Sequence, residues 1–454
     1  MLHVIILAAG EGKRMRSAQP KVLQPVGGRA MLAHLLETVS GLKPDQVHVV
    51  IGQGAEMVQA SLPDFTGRFA HQTERLGTGH ATLQAMDEIP AGARVLVLPG
   101  DMPLVRVQTL QALLDERAPL SLLSFMANDP NGYGRILRDG QDRVTQIREQ
   151  ADATPQEAMV KEVNSGVLVG ESAALKAWLE QLVPRNAQGE YYLTDVVGLA
   201  VGDGLHVSGV IAEDANELMG ANDRAQLALL EQVYQARCRR QLMADGAILE
   251  DPSTVYVKGR VQVGQDVVIG PQVTLQGNVT LGDGVVIGPG CVVSESHLAA
   301  GTEVKAHCVL EGIQTTGPCQ LGPFARLRPG TELASGVKVG NFVEIKKSKL
   351  AEGAKVSHLS YIGDATLGQE VNVGAGTITC NYDGTNKHHT RIGDGAFIGS
   401  NSSLVAPVSI GERAVIGAGS VISKDAPADQ LSLTRAPQRQ IEGWTRPDKA
   451  KKKT

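Results

Sequence analysis

Apolar residues recur every six positions through most of the second half of this chain. Val257, Val263, Ile269, Leu275, Leu281, Ile287 and Val293 share one register. After a five-residue step come Leu298, Val304 and Leu310, then Leu321, Leu327, Leu333, Val339 and Ile345. Leu350, Val356 and Ile362 continue the ladder, and Ile392, Ile398, Leu404, Ile410, Ile416 and Ile422 end it. A period of six fits neither an α-helix nor a hairpin meander with irregular loops. It predicts a parallel β-helix built from hexapeptides, with residues 257–422 forming roughly nine coils of about 18 residues. Glycine follows the ladder residue at Gly264, Gly270, Gly282, Gly288, Gly411 and Gly417. The expected reason is the positive φ that a tight corner needs.

Such a prism buries its own core and offers no deep pocket. Ligands are therefore expected between subunits or beside inserted loops. The ladder breaks most visibly between Val373 and Ile392, where residues 379–390 are polar. An insertion on a solenoid maps to one face, often the binding face. A loop without a function fits the same pattern.

Before residue 225 short apolar runs alternate with helical patterns. Val4–Ala8, Val47–Ile51, Val95–Leu98, Leu120–Phe125 and Val207–Ile211 read as buried strands, with helices over 30–40, 54–61, 78–88 and 106–116. That alternation predicts an α/β domain with a parallel sheet covered on both faces. Leu227, Leu230, Tyr234, Cys238 and Leu242 stand at helical spacing between an Asn222-Asp223 start and Asp245-Gly246. The reading is a domain over 1–225, a connecting helix over 226–246 and a β-helical domain over 247–454.

Composition removes several alternatives. A net charge of −5 gives no electrostatic footprint for nucleic acid, and 3% aromatic residues disfavour base-stacking surfaces. The five cysteines are scattered without a CxxC pair, so neither a disulfide framework nor a zinc site is expected, and a reducing compartment is. The apolar start, Met1–Gly10, lacks a basic flank and reads as a first strand rather than a leader. No run approaches the length of a membrane span. Lys449, Lys451, Lys452 and Lys453 read as a solvated tail.

Ligands on open α/β sheets sit at the carboxyl ends of the strands, which directs attention to the loops after Ala8 and Leu98. The first, Leu7-Ala-Ala-Gly-Glu-Gly-Lys-Arg-Met15 followed by Pro20-Lys21, is neither a Walker loop nor a dinucleotide fingerprint. Backbone N–H groups with Lys13, Arg14 and Lys21 nearby suit a triphosphate; a plain strand–helix turn with surface cations is the alternative. The second loop places Asp101 at a strand end, where it serves equally as a Mg²⁺ ligand or a helix cap.

These loops, with Gln72 and Leu76-Gly-Thr-Gly-His80, resemble the sugar-1-phosphate nucleotidyltransferases. Gly132-Tyr-Gly-Arg-Ile136, Val163-Asn-Ser-Gly166, Gln188-Gly-Glu-Tyr-Tyr-Leu-Thr-Asp195 and Gly220-Ala-Asn222 extend the likeness. Phe324–Pro329, His358–Asp364 and Gly374–Gly384 carry it through the second half. Over essentially its whole length the chain resembles the bacterial family that joins an N-acetylglucosamine-1-phosphate uridylyltransferase to a glucosamine-1-phosphate N-acetyltransferase. The family's β-helix is left-handed, and its members are cytoplasmic homotrimers that supply UDP-N-acetylglucosamine for peptidoglycan and lipopolysaccharide precursors. Two departures from its pattern are Lys13 for Thr and Pro99 for Tyr.

The resemblance implies UTP and UDP-N-acetylglucosamine contacts from Leu7, Ala8, Ala9, Gly10, Gln72, Gly77, Thr78, Pro99 and Gly100. It gives Arg14 and Lys21 to the phosphates as catalytic cations, Gly134, Glu149 and Asn164 to the sugar, and Asp101 and Asn222 to Mg²⁺. In the second half it implies His358 as general base, Arg328 and Lys346 at the sugar phosphate, and Tyr361 and Asn372 at the sugar. Ala375, Asn381, Tyr382, Ser400, Ala418 and Arg435 would contact acetyl-CoA. An imidazole suits the base role because it titrates near neutrality. Two other readings compete: a nucleotidyltransferase whose β-helix only assembles subunits, and a scaffold with a degenerate catalytic domain. Asp101, Asn222, Arg14 and Lys21 argue against the scaffold. His358, Tyr361, Asn381 and Tyr382 argue against an inert β-helix.

Overall fold

The computed structural model describes residues 1–10 and 12–446, so the Lys-rich tail lies outside the described residues. The chain divides between Arg237 and Cys238 into two compact units.

The first unit is organised by a sheet whose strand order is Val207–Ile211, Leu120–Met126, Glu162–Glu171, Arg94–Pro99, Leu2–Leu7, Gln46–Ile51 and Arg68–His71. Alternate side chains enter two separate cores: Ile5, Val95 and Val97 on one face, Val4, Ile6, Leu96 and Leu98 on the other. Burial on both faces is what the continuous apolar runs demand. The expectation of a purely parallel sheet needs correcting. Glu162–Glu171 runs antiparallel to both neighbours, with a bulge between Asn164 and Val167. The polar Asn164-Ser165-Gly166 interrupts its apolar pattern: Asn164 still pairs with Ser124, and Ser165 and Gly166 bulge out of the pairing. Ser165 Oγ donates to the Leu123 carbonyl at 2.6 Å, and the Asn164 Oδ1 accepts from the Gly166 N–H at 3.0 Å.

The strands Leu2–Leu7 and Arg94–Pro99 are neighbours in parallel register, Leu7 opposite Pro99. Their following loops therefore emerge side by side, and the Gly100 N–H donates to the Leu7 carbonyl at 2.9 Å. A Cβ at Gly100 would stand 2.8 Å from that oxygen, so no other residue lets the loops approach this closely.

The second unit is a stack of short parallel strands, with hydrogen bonds to residues 17 or 18 positions on. Ile269, Ile287, Val304, Leu321, Val339, Val356, Val373, Ile398 and Ile416 follow one another in a single sheet. All are at most 2% exposed. Fully burying such a side chain stabilises by about 1.5–3 kcal/mol, so the repeated ladder contributes substantially to the unit's stability. Val263, in contrast, is only half-buried at the first coils.

The glycines after the ladder residues are not the left-handed corners. Positive φ falls instead on such residues as Asp266, Gln272, Gly284, Gly290 and Arg413. The ladder glycines answer to crowding: a Cβ at Gly282 would stand 2.6 Å from the Ala300 nitrogen of the next coil, and one at Gly288 2.8 Å from that of Ala306. The polar break is an enlarged coil. Thr379 keeps the buried ladder position, residues 381–389 loop out, and hydrogen bonding resumes 25 residues on, from Gln369 to Asp394. Among the described residues, no helix is long and apolar enough to cross a membrane.

Candidate active sites

In the first unit a cavity of about 430 Å³ opens at the carboxyl ends of the two central strands. Leu7, Ala9 and Gly10 line it from the first loop, and Gln72, Gly77 and Thr78 from the segment that opens the helix Thr78–Met86. Pro99, Asp101, Glu149 and Asn164 complete the expected wall. Pro99 seats itself against the bulge, its Cγ 2.8 Å from where a Gly166 Cβ would be. Gly77 is itself required. Its φ is 110°, and a Cβ would stand 2.6 Å from the Tyr191 carbonyl.

Lys21 enters the cavity between two oxygen acceptors. Its Nζ lies 2.6 Å from Asp101 Oδ2 and 3.0 Å from Asn222 Oδ1. Three residues far apart in sequence thus meet at one cation. Gly220 makes room, since a Cβ there would stand 2.8 Å from Asp101 Oδ2. Glu149 is held by the Thr194 hydroxyl, which donates to Oε1 at 2.9 Å. Burial pushes the Glu149 carboxyl up, against that hydrogen bond. Gly134 stands next to it, where a Cβ would lie 3.4 Å from either carboxylate oxygen.

Five expected residues are not on the cavity wall, Gly134 behind Glu149 among them. Ala8 turns its side chain into the opposite core, and Gly100 lies beneath it. Asn222 reaches the site through Lys21. Arg14 stands exposed on the short turn Lys13–Met15. Conversely, Arg75, Glu190, Leu193 and Thr194 line the cavity without having been assigned a role. The motif Gln188–Asp195 was the available signal for three of them. It braces the loop before the helix, with Gly79 N–H donating to the Tyr191 carbonyl at 2.8 Å and Leu193 N–H to Thr78 Oγ1 at 3.0 Å.

In the second unit five of the expected residues, together with Asn341, form a column along one corner of the prism. Leu359 N–H donates to the Asn341 carbonyl, Gly376 N–H to that of His358, Asn401 N–H to that of Ala375, and Gly419 N–H to that of Ser400. Arg435 Nη1 closes the column on the Ala418 carbonyl at 3.1 Å. Asn341, His358, Ala375, Ser400, Ala418 and Arg435 are thereby stacked one coil apart. From His358 to Arg435 this makes a track about 19 Å long at the usual strand spacing.

His358 is exposed, and its Nδ1 is 2.6 Å from Asn341 Oδ1. An amide oxygen only accepts, so Nδ1 carries a proton, and in the neutral ring the lone pair is then on Nε2. Asn341 was missed by sequence reasoning, although it stands one coil before His358. On the adjoining sheet, Arg328 Nη1 donates to Glu344 Oε1 at 2.9 Å. Lys346 faces the looped-out segment, where the neighbouring Lys387 ammonium pulls its pKa below the usual lysine range. Asn381 Nδ2 donates to Asp364 and lies 3.5 Å from the Tyr361 hydroxyl. Asn372 pairs in strand with Lys355 and Phe397, and Tyr382 is 60% exposed on the loop. Among the described residues there is no cluster of three or more His, Cys, Asp or Glu fit to hold a metal.

Comparison with known proteins matches both units. The MobA-like NTP transferase domain family covers residues 4–186, and the bacterial transferase hexapeptide family covers 260–295 and 389–424. A solved inositol-1-phosphate CTP transferase from T. maritima overlaps 51% of this chain and 94% of that one, at 17% identity and a TM-score of 0.42. Among curated relatives, the bifunctional protein GlmU of Stenotrophomonas maltophilia (strain R551-3) is 54% identical over 98% of both chains. That of Marinobacter nauticus is 52% identical over 99% of both. With this similarity running through both units, the chain belongs to the family of bifunctional GlmU proteins.

Proposed function

We propose that the β-helical unit acetylates glucosamine 1-phosphate and that the first unit transfers UMP to the product, giving UDP-N-acetylglucosamine for peptidoglycan and lipopolysaccharide precursors. The functional divisions are 1–225 for uridylyl transfer, 226–246 for the connecting helix and 247–454 for acetyl transfer. The observation that carries the reading is the coexistence, in one chain, of the Lys21–Asp101–Asn222 cluster and the His358–Asn341 pair.

In acetyl transfer the amine of glucosamine 1-phosphate attacks the thioester carbonyl of acetyl-CoA. His358 Nε2 takes the amine proton as the C–N bond forms, and the coenzyme leaves as its thiolate. Arg328 and Lys346 hold the sugar phosphate, while Tyr361 and Asn372 place the sugar. The coenzyme lies along Ala375, Ser400, Ala418 and Arg435 and against Asn381-Tyr382. Because this track is open on the prism surface, a second copy supplies the other wall, and the assembly is a homotrimer with sites between subunits.

In uridylyl transfer an oxygen of N-acetylglucosamine 1-phosphate attacks the α-phosphorus of UTP in line, and pyrophosphate leaves. The attacking phosphate is already ionised, so the site needs position and positive charge rather than a base. Lys21, with Arg14 brought in from its exposed turn, neutralises the phosphates, and Glu149, Asn164 and Gly134 orient the sugar. Asp101 and Asn222 fit Mg²⁺, because two hard oxygen donors already converge on one cation and leave room for phosphate and water. When bound, the ion supplies charge neutralisation at the reacting phosphates. Free cysteines and small-molecule substrates suit a cytoplasmic enzyme.

The test is Asp101→Ala in the full chain. UDP-N-acetylglucosamine formation from N-acetylglucosamine 1-phosphate should fall below detection while acetyl transfer is unchanged. Wild-type uridylyl transfer at limiting Mg²⁺ would overturn the assignment.

A further inference from the structure

Gln72 follows the edge strand Arg68–His71, and its backbone N–H donates to the Ile51 carbonyl at 2.8 Å. Its side chain lines the cavity of the first unit and is 6% exposed. The amide nitrogen Nε2 has two close neighbours: the Gly77 carbonyl at 3.1 Å and the His80 Nδ1 at 3.1 Å. A backbone carbonyl only accepts. The atom facing Gly77 is therefore the amide nitrogen, which settles which end of the amide is which.

Both hydrogens of that nitrogen are then committed, one to Gly77 and one to His80. For His80 to accept, its Nδ1 must be unprotonated and its ring proton must sit on Nε2. The amide of Gln84 lies 3.3 Å from that Nε2 and also donates to the His80 carbonyl at 3.2 Å. A neutral imidazole cannot accept at both nitrogens. Gln84 is only half-buried and can turn away, whereas buried Gln72 cannot. The ring projects from the helix Thr78–Met86, with the Tyr191 ring centroid 6.5 Å from its own.

The consequence lies at the other end of the amide. Gln72 Oε1 accepts no hydrogen bond from any described residue, so an acceptor is what Gln72 offers to a base in the cavity. A glutamine without those two neighbours would offer a base both a donor and an acceptor. Uracil carries a hydrogen on N3 and cytosine does not, so an acceptor fixed opposite N3 separates the two, whereas one opposite position 4 would accept from the cytosine amino group. We propose that His80 is the positioning residue that locks Gln72 as an acceptor and so sets the preference for a uridine over a cytidine triphosphate. The inference rests on the reading of Gln72 as the residue that meets the base.

The measurement is kcat/KM of the full-length protein for UTP and for CTP, by pyrophosphate release with N-acetylglucosamine 1-phosphate. A wild type without preference for UTP would sink the base reading of Gln72 before any variant is made. Given that preference, His80→Leu leaves one amide hydrogen unpaired and frees the amide to flip. The UTP-to-CTP ratio should fall about tenfold, mostly through KM for UTP. His80→Asn, whose Oδ1 can stand near the Nδ1 position, should restore the ratio to within about threefold. Acetyl transfer should be unchanged in both variants. If His80→Leu lowered the UTP and CTP rates by one common factor, His80 would be merely structural and the proposal would fall. It would fall equally if His80→Asn were no better than His80→Leu.

Discussion

His358 and Asn341 face each other across adjacent coils of the prism, imidazole Nδ1 to amide Oδ1 at 2.6 Å. The pairing gives the histidine one tautomer and aims its basic Nε2 away from the coil below. Removing the base itself should cost more than removing its support. His358→Ala should lower kcat for acetyl transfer about 10²–10⁴-fold, with little change in KM for acetyl-CoA. Asn341→Ala should lower it by about tenfold, since the ring loses the partner that fixes its tautomer and orientation. Raising pH should partly rescue His358→Ala, because the substrate amine then loses its proton to solvent. Equal losses in the two variants would contradict the division into base and orienter.

A pair of buried histidines gives the first unit a pH-dependent stability. His3 and His48 stack with ring centroids 5.4 Å apart, and His3 Nδ1 is 3.1 Å from His48 Nε2. Burial first, then the neighbouring His3, pushes His48 down to about 4. Its Nδ1 has no hydrogen-bond partner, and Glu88 stands 3.9 Å away. Burial likewise lowers His3, opposed by Asp45. A base depressed on folding contributes stability that is whole above the unfolded pKa of about 6.5 and is lost as pH falls toward the folded value. Between pH 7 and 5 the unfolding midpoint of this unit should therefore drop, followed by the fluorescence of buried Trp178. His48→Leu should make that drop smaller; an equal drop in the variant would contradict the account.

Much of the second unit was legible because a period of six admits few folds. Ladder residues from Ile269 to Ile416 are core residues as the spacing required, and the break after Val373 does mark a looped-out segment. The role of the ladder glycines was not legible. Gly282 and Gly288 are small because the next coil's backbone approaches them, which is a relation between coils that the local sequence does not display. In the first unit the strand Glu162–Glu171 was hidden by its own function. Asn164 and Gly166 line the cavity, so the residues that make the site break the pattern that would have announced the strand. Individual loops indicated phosphate chemistry, but the meeting of Lys21 with Asp101 and Asn222 spans some two hundred positions. Asn341 could have been found by counting back one coil from His358.

The central claim is that one chain carries two separate chemistries linked by a diffusible intermediate, N-acetylglucosamine 1-phosphate. Asp101→Ala and His358→Ala disable opposite halves of that sequence. Each variant alone, given glucosamine 1-phosphate, acetyl-CoA and UTP with Mg²⁺, should form no UDP-N-acetylglucosamine above about 1% of wild type. Mixed in equal amounts, the two should form it after a lag in which N-acetylglucosamine 1-phosphate accumulates. A mixture that stayed inactive, or a single variant that lost both half-reactions, would contradict the account.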